Sequence, residues 1–105
     1  MIDKRGVSIQ GRVTIETSSE MRRVIAEALR SIPRAVAIDF SGVTYLDTSG
    51  LATLLEASRI ARQQGTRLVI KGLHDQPREL IHFTQIDHLL EIAGPEPHET
   101  QDQPQ

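Results

Sequence analysis

Apolar positions along this chain switch between a period of two and a period of three to four residues. Residues 7 to 15 alternate: Val7, Ile9, Gly11, Val13 and Ile15 fall on one side, and Ser8, Gln10, Arg12 and Thr14 on the other. That is the pattern of a half-buried strand, bent or weakened at Gly11. Met1 to Gly6 is expected to form a short partner strand through a turn at Lys4-Arg5-Gly6. Thr17-Ser18-Ser19-Glu20 has the spacing of a capping box. Met21, Val24, Ile25, Ala28 and Leu29 then make one helical stripe, with Arg22, Arg23, Glu27 and Arg30 on a solvated face. Pro33 stops that helix. Ala35 to Phe40 is apolar without alternation, which predicts a strand covered on both faces.

Ser41-Gly42 marks a turn, and Val43 to Leu46 leads into a second helix. Its apolar face is Leu51, Leu54, Leu55 and Ala61, widened by Ala52, Ala57 and Ile60, and Gly65 ends it. Leu68-Val69-Ile70 predicts a third buried strand. Asp75-Gln76-Pro77 opens a shorter helix carrying Leu80, Ile81 and Phe83. Leu89 to Ile92 returns as a strand or a last helical turn. Strand and helix in alternation predict a small α/β layer protein with a mostly parallel sheet. Gly94 to Gln105 is rich in Pro, Gln and acid and holds no large apolar residue, so residues 94–105 are expected to be a disordered tail beyond a domain at 1–93.

Composition narrows the function. A chain of 105 residues is one domain with a modest core. It holds no cysteine, which excludes disulfides, thiolate catalysis and Cys-based zinc sites. A net charge of −2 and three aromatic residues, Phe40, Tyr45 and Phe83, offer neither a basic footprint nor a stacking platform for nucleic acid. No apolar run approaches the roughly 20 residues of a membrane span, and no signal-type segment precedes a cleavage site, so a soluble cytoplasmic protein is expected. The chain carries no P-loop, G-x-G-x-x-G or G-x-S-x-G. His74, His82, His88 and His98 never fall at i, i+4 on one helix, and no metal or cofactor is expected.

One stretch concentrates the remaining chemistry: Leu46-Asp47-Thr48-Ser49-Gly50-Leu51, at a strand-to-helix junction. Free backbone N–H groups and the helix dipole favour a negative group there. The plain reading is that Asp47 or Thr48 caps the helix. Two hydroxyls, an acid and a glycine at one exposed helix start also suit a site of binding or modification. Gly50 costs on the order of 1 kcal/mol relative to Ala in a helix, so either a close-approaching partner or a tight crossing over the sheet is expected there. Asp39, near the C-terminal end of its strand, either faces a ligand or is hydrogen-bonded to a neighbouring loop. An enzyme using Asp39 and Asp47 as paired carboxylates lacks any base–nucleophile arrangement. A module bound or modified by other proteins is the better expectation.

These residues resemble a known family. Gly11-Arg12-Val13, Val36-Ala37-Ile38-Asp39-Phe40-Ser41, Leu46-Asp47-Thr48-Ser49-Gly50-Leu51 and Gln64-Gly65 before Leu68-Val69-Ile70 look like a STAS domain over about residues 7 to 92. That is the family of anti-sigma factor antagonists and of the cytosolic domains of sulfate-type transporters. The resemblance implies a single-domain α/β fold, with a mostly parallel or mixed sheet of four to five strands packed with helices. It implies a non-enzymatic module in which Thr48 is the phosphoacceptor, with Ser49 as second choice. Asp47, Thr48, Ser49, Gly50 and Leu51, with Thr14 and Asp39, would meet the partner. That partner would be an anti-sigma factor with serine/threonine kinase activity, captured by the unphosphorylated protein so that its sigma factor is freed for transcription. Two departures stand out: Thr at the acceptor where Ser is usual, and Thr14 where the antagonists commonly carry Asp. Both also resemble the small STAS subunits of phospholipid-transport ABC systems, whose same loop contacts the ATPase.

Overall fold

In a computed structural model, residues 4–94 are described, and the element order is β1 (Lys4–Val13), α1 (Ser18–Leu29), β2 (Ala35–Leu46), α2 (Thr48–Gln64), β3 (Arg67–Lys71), α3 (Asp75–Phe83), a short 3-10 turn (Asp87–Leu89) and β4 (Glu91–Ile92). The four strands form one sheet in the order β1-β2-β3-β4, and every neighbouring pair is parallel. Each crossover carries a helical segment. Because crossovers of this kind are right-handed and the strand order never reverses, all helices fall on one face of the sheet.

That topology explains where the core sits. Val36, Ile38 and Phe40 are fully buried, whereas Ala35, Ala37 and Asp39 between them are partly exposed. The strand expected to be covered on both faces is therefore covered on one. An unbroken apolar run arises here because two of the outward positions are alanines. Met21, Ile25, Leu29, Leu51, Leu54, Ala57, Ala61 and Ile81 complete the core from the helical side. α1 packs on β1 and α2, α2 on β3, and α3 on β2.

Several expectations are corrected by the strands. Lys4 to Gly6 lies within β1 rather than in a turn; Met1 to Asp3 and, of the tail expected over 94–105, residues 95–105 lie outside the described residues. Ile15 falls beyond the strand and is 76% exposed. Ser41-Gly42 is not a turn. It lies inside β2, which gains one residue on β1 between the pairs Ser8–Asp39 and Gln10–Gly42, and another between Gly11–Val43 and Arg12–Tyr45. Such bulges bend a strand without ending it. Gly11 has φ +80 at the second of these, as its place in the pattern suggested.

The helices follow their stripes more closely, with exceptions. Thr17 precedes α1, but its hydroxyl serves the preceding turn, accepting from Thr14 N at 2.8 Å and donating to Arg12 O at 2.8 Å, while Glu20 pairs with Arg23. The capping box therefore exists in spacing and not in bonding. Gly65 ends α2 at φ +82, with its N–H bonded back to the last turn. Phe83, expected on the apolar side of α3, is 84% exposed, and Ala52 and Ile60 also face out. The return over residues 89–92 resolves into the 3-10 turn and β4, which Arg67 secures through a forked ion pair with Glu91.

The Ser58 side chain, on α2, is 7% exposed and its hydroxyl finds no hydrogen-bond partner among the described residues. Ser58→Ala removes an unsatisfied buried group and is expected to raise the unfolding free energy by about 1 kcal/mol in denaturant titration. A loss of stability would show that the hydroxyl is bonded in solution.

Candidate functional site

The junction between β2 and α2 is organised by one carboxylate. Asp47 adopts an extended conformation as the N-cap of α2. Its Oδ1 accepts from Ser49 N at 2.9 Å, Gly50 N at 3.1 Å and Ser49 Oγ at 2.7 Å. Its Oδ2 accepts from Ile15 N at 3.0 Å, and its own N–H donates to Val13 O at 3.0 Å. One side chain thus caps the helix and ties the loop after β1 to the loop after β2. Of the two capping candidates, Asp47 is the cap. The Ser49 hydroxyl first, and then the Gly50, Ile15 and Ser49 amides, hold its carboxyl below the usual carboxylate range, against the opposing effect of burial.

Gly50 has a packing reason. A Cβ there would lie 2.6 Å from Leu46 Cδ1 and 2.7 Å from Val13 Cγ1, both in fully or nearly fully buried side chains. The tight crossing over the sheet, rather than a close-approaching partner, accounts for the bare backbone. Leu51 follows it into the core. Thr48 is the first residue of α2; its side chain is exposed and, among the described residues, makes no hydrogen bond.

A family model described as "Mlab, STAS domain" matches residues 3–91. The chain belongs to the STAS domain family. Its relatives include the anti-sigma-B factor antagonist of Listeria monocytogenes, 24% identical over 94 residues, which cover 90% of this chain and 82% of that protein. A candidate sulfate transporter of Bacillus subtilis, YvdB, is 32% identical over 84 residues, which are 79% of this chain but only 16% of the transporter. The fold is shared with the crystal structure of an anti-sigma factor antagonist from Mycobacterium paratuberculosis, at a TM-score of 0.76 and 21% identity over 92% of this chain and 82% of that one. Among the described residues of this STAS domain, no helix is long and apolar enough to cross a membrane.

The structure gathers most of the residues singled out in the sequence. Val13 pairs with Leu46, so Thr14 emerges beside Asp47, Thr48, Ser49, Gly50 and Leu51. Asp39 stays apart. It pairs with Ser8 and Lys71 where β3 ends, eight residues before Asp47 along the chain. Its Oδ1 accepts from Ser41 N at 2.9 Å, a bond within β2 itself rather than to a neighbouring loop. That bond is the main cause of its lowered pKa.

Two contributors were missed. Gln76 Oε1 accepts from Leu46 N at 2.8 Å and its Nε2 donates to Leu46 O at 2.9 Å, so an α3 side chain takes the place of a neighbouring strand beyond the end of β3. The contact spans 30 residues, and no local pattern announces it. Alternation alone puts Ile15 on the apolar side of the strand with Val7, Ile9 and Val13. The turn-forming Thr14 and Thr17 around it were the available signal that the strand had already ended.

Two measurements test this geometry. Gly50→Ala gains roughly 1 kcal/mol of helix propensity but meets about 1–3 kcal/mol of overpacking, so a net loss in unfolding free energy is expected; unchanged or higher stability would show that Val13 and Leu46 have room. For Asp47 the folded pKa is depressed, so its stabilisation is fully present above the ordinary carboxylate pKa and is lost as pH falls through the folded value. Asp47→Asn should therefore flatten the acid side of the stability-versus-pH curve. An acid limb as steep as in the parent would assign it to other carboxylates.

Proposed function

We propose that this STAS domain is a protein-binding module of the anti-sigma factor antagonist type, switched by a phosphate on Thr48. Its partner is an anti-sigma factor with serine/threonine kinase activity, and its effect is on transcription. The observation that supports this is the contrast between two adjacent hydroxyls. Ser49 Oγ is committed to Asp47 at 2.7 Å, whereas the Thr48 hydroxyl is exposed on a fixed helix start. A kinase can reach Thr48 without dismantling the cap. Its hydroxyl oxygen attacks the γ-phosphorus of the kinase's ATP, the bond to ADP breaks, and the hydroxyl proton passes to a base of the kinase.

The phosphate adds about −1.5 to −2 charges. The Ser49 and Gly50 amides that could have received it are already bonded to the Asp47 carboxylate. The new charge therefore stays on the surface and alters docking while the fold persists. Exposed Ile15, whose amide is held by the same carboxylate, supplies an apolar contact for the unphosphorylated state.

The transporter relative carries a matching domain within a transport protein, and the second reading makes this module an accessory subunit of a phospholipid-transport ABC system, its loop docking constitutively on the ATPase. Binding titrations of the kinase partner combined with ATP labelling separate the two. Thr48→Glu should weaken binding tenfold or more, since each 1.4 kcal/mol of uncompensated interface charge costs about that factor. Thr48→Ala should bind without incorporating phosphate, and Ser49→Ala should still be labelled. Full labelling of Thr48→Ala would refute Thr48 as acceptor, and an unlabelled parent that loses binding in both Thr48 variants would favour the transport reading.

A further inference from the structure

A groove of about 660 Å³ runs between α1 and α2. Its floor is apolar, formed by the buried Ile25, Leu29 and Ala57. The rims are two rows at helical spacing: Arg22, Ala26 and Arg30 on α1, and Ala52, Glu56 and Ile60 on α2. Small residues, Ala26 and Ala52, stand at exposed positions on both rims, which leaves the floor open. The α2 rim extends to Gln64, about 18 Å at 1.5 Å per residue, or three turns of a helix.

The charges at the rims are unequal. Arg30 pairs with Glu27 at 3.4 Å and Glu56 with Arg59 at 3.0 Å, each within its own helix. Arg22 is exposed and, among the described residues, has no carboxylate partner; its recorded contact is with Thr53 Oγ1 at 3.4 Å. Thr53 Oγ1 in turn donates to Ser49 O at 3.0 Å. The groove thus begins one turn beyond Thr48, on the same helix.

We propose that this groove receives an amphipathic helix of the partner protein, its apolar face on the floor and a carboxylate on its flank paired with Arg22. This rests on the reading of the Thr48 loop as a docking surface and extends that surface along α2. Helix-in-groove recognition uses apolar anchors at i, i+3, i+4 and i+7, which matches a three-turn trough. The unpaired guanidinium favours an acidic flank toward α1.

The test uses the full chain and synthetic peptides of about 18 residues, above the length at which isolated helices become stable. Two peptides share one leucine stripe and differ in Glu or Lys along the flanks. The Glu peptide should shift the backbone NMR signals of Ala26, Ala52 and Ile60, and Arg22→Glu should weaken it tenfold or more. The Lys peptide should bind far less. Ile60→Asp should also lose binding, through the apolar contact of the α2 rim rather than through Arg22. Absence of shifts at those three residues, equal binding of both peptides, or a peptide-free dimer formed through the same residues would overturn the proposal. ATP labelling of Thr48 keeps the two readings apart. Normal labelling with no peptide binding sinks the groove alone, and peptide binding without labelling sinks the switch alone.

Discussion

The carboxylate of Asp47 is the interaction on which the β2–α2 junction of this domain depends. Its two oxygens accept from amides on both sides of the β1–β2 seam: Ile15 on one loop, Ser49 and Gly50 on the other. Charge-assisted bonds to backbone N–H groups are short and strong, and here they convert two loop ends into one rigid surface. They also divide the neighbouring hydroxyls. Ser49 is drawn into the cap and Thr48 is left outside it. A separation of roles between adjacent, chemically similar residues follows from which one can reach the carboxylate.

Holding that carboxylate in place requires the strand and helix behind it to meet closely. Gly50 lets the first turn of α2 rest against Val13 and Leu46. Gln76 secures Leu46 from the other side, beyond the end of β3, where among the described residues no strand remains to pair with it. Three separate segments, β1, β2 and the start of α3, therefore converge on the two residues Leu46 and Asp47. The sheet supplies the frame for this because its strands lie in sequential order. Each crossover returns to the same face, and the junction that carries Thr48 opens at the carboxyl ends of β1 and β2.

Much of this was legible in the amino-acid pattern because it is local. The stripes Met21–Leu29 and Leu51–Ala61, the stop at Gly65 and the cap at Asp47 all depend on residues within a turn or two of one another. Long-range features were not legible. Ala35 to Phe40 suggested a doubly covered strand, since an alanine at an outward position looks like core until the strand order is known. The Ser41-Gly42 signal was genuine but marked a bulge, because β1 continued pairing past it. Ile15 and Phe83 kept the right period and lay just past, or at the end of, the element that would have buried them. The Gln76 amide could be placed only by the tertiary fold. The exposed Thr48 was identified through its family motif, and its freedom from the cap only through the bonds of its neighbour.

The most direct test of this account follows the Asp47 carboxylate itself. Backbone amide signals of Ile15, Ser49 and Gly50 are recorded by NMR as pH falls through the acid range. If one carboxylate holds all three, they shift together with one common apparent pKa, below the ordinary carboxylate value, although Ile15 lies on a different loop from the other two. Independent titration of the Ile15 amide, or a common pKa at or above the ordinary value, would contradict the claim that Asp47 clamps the two loops into one surface.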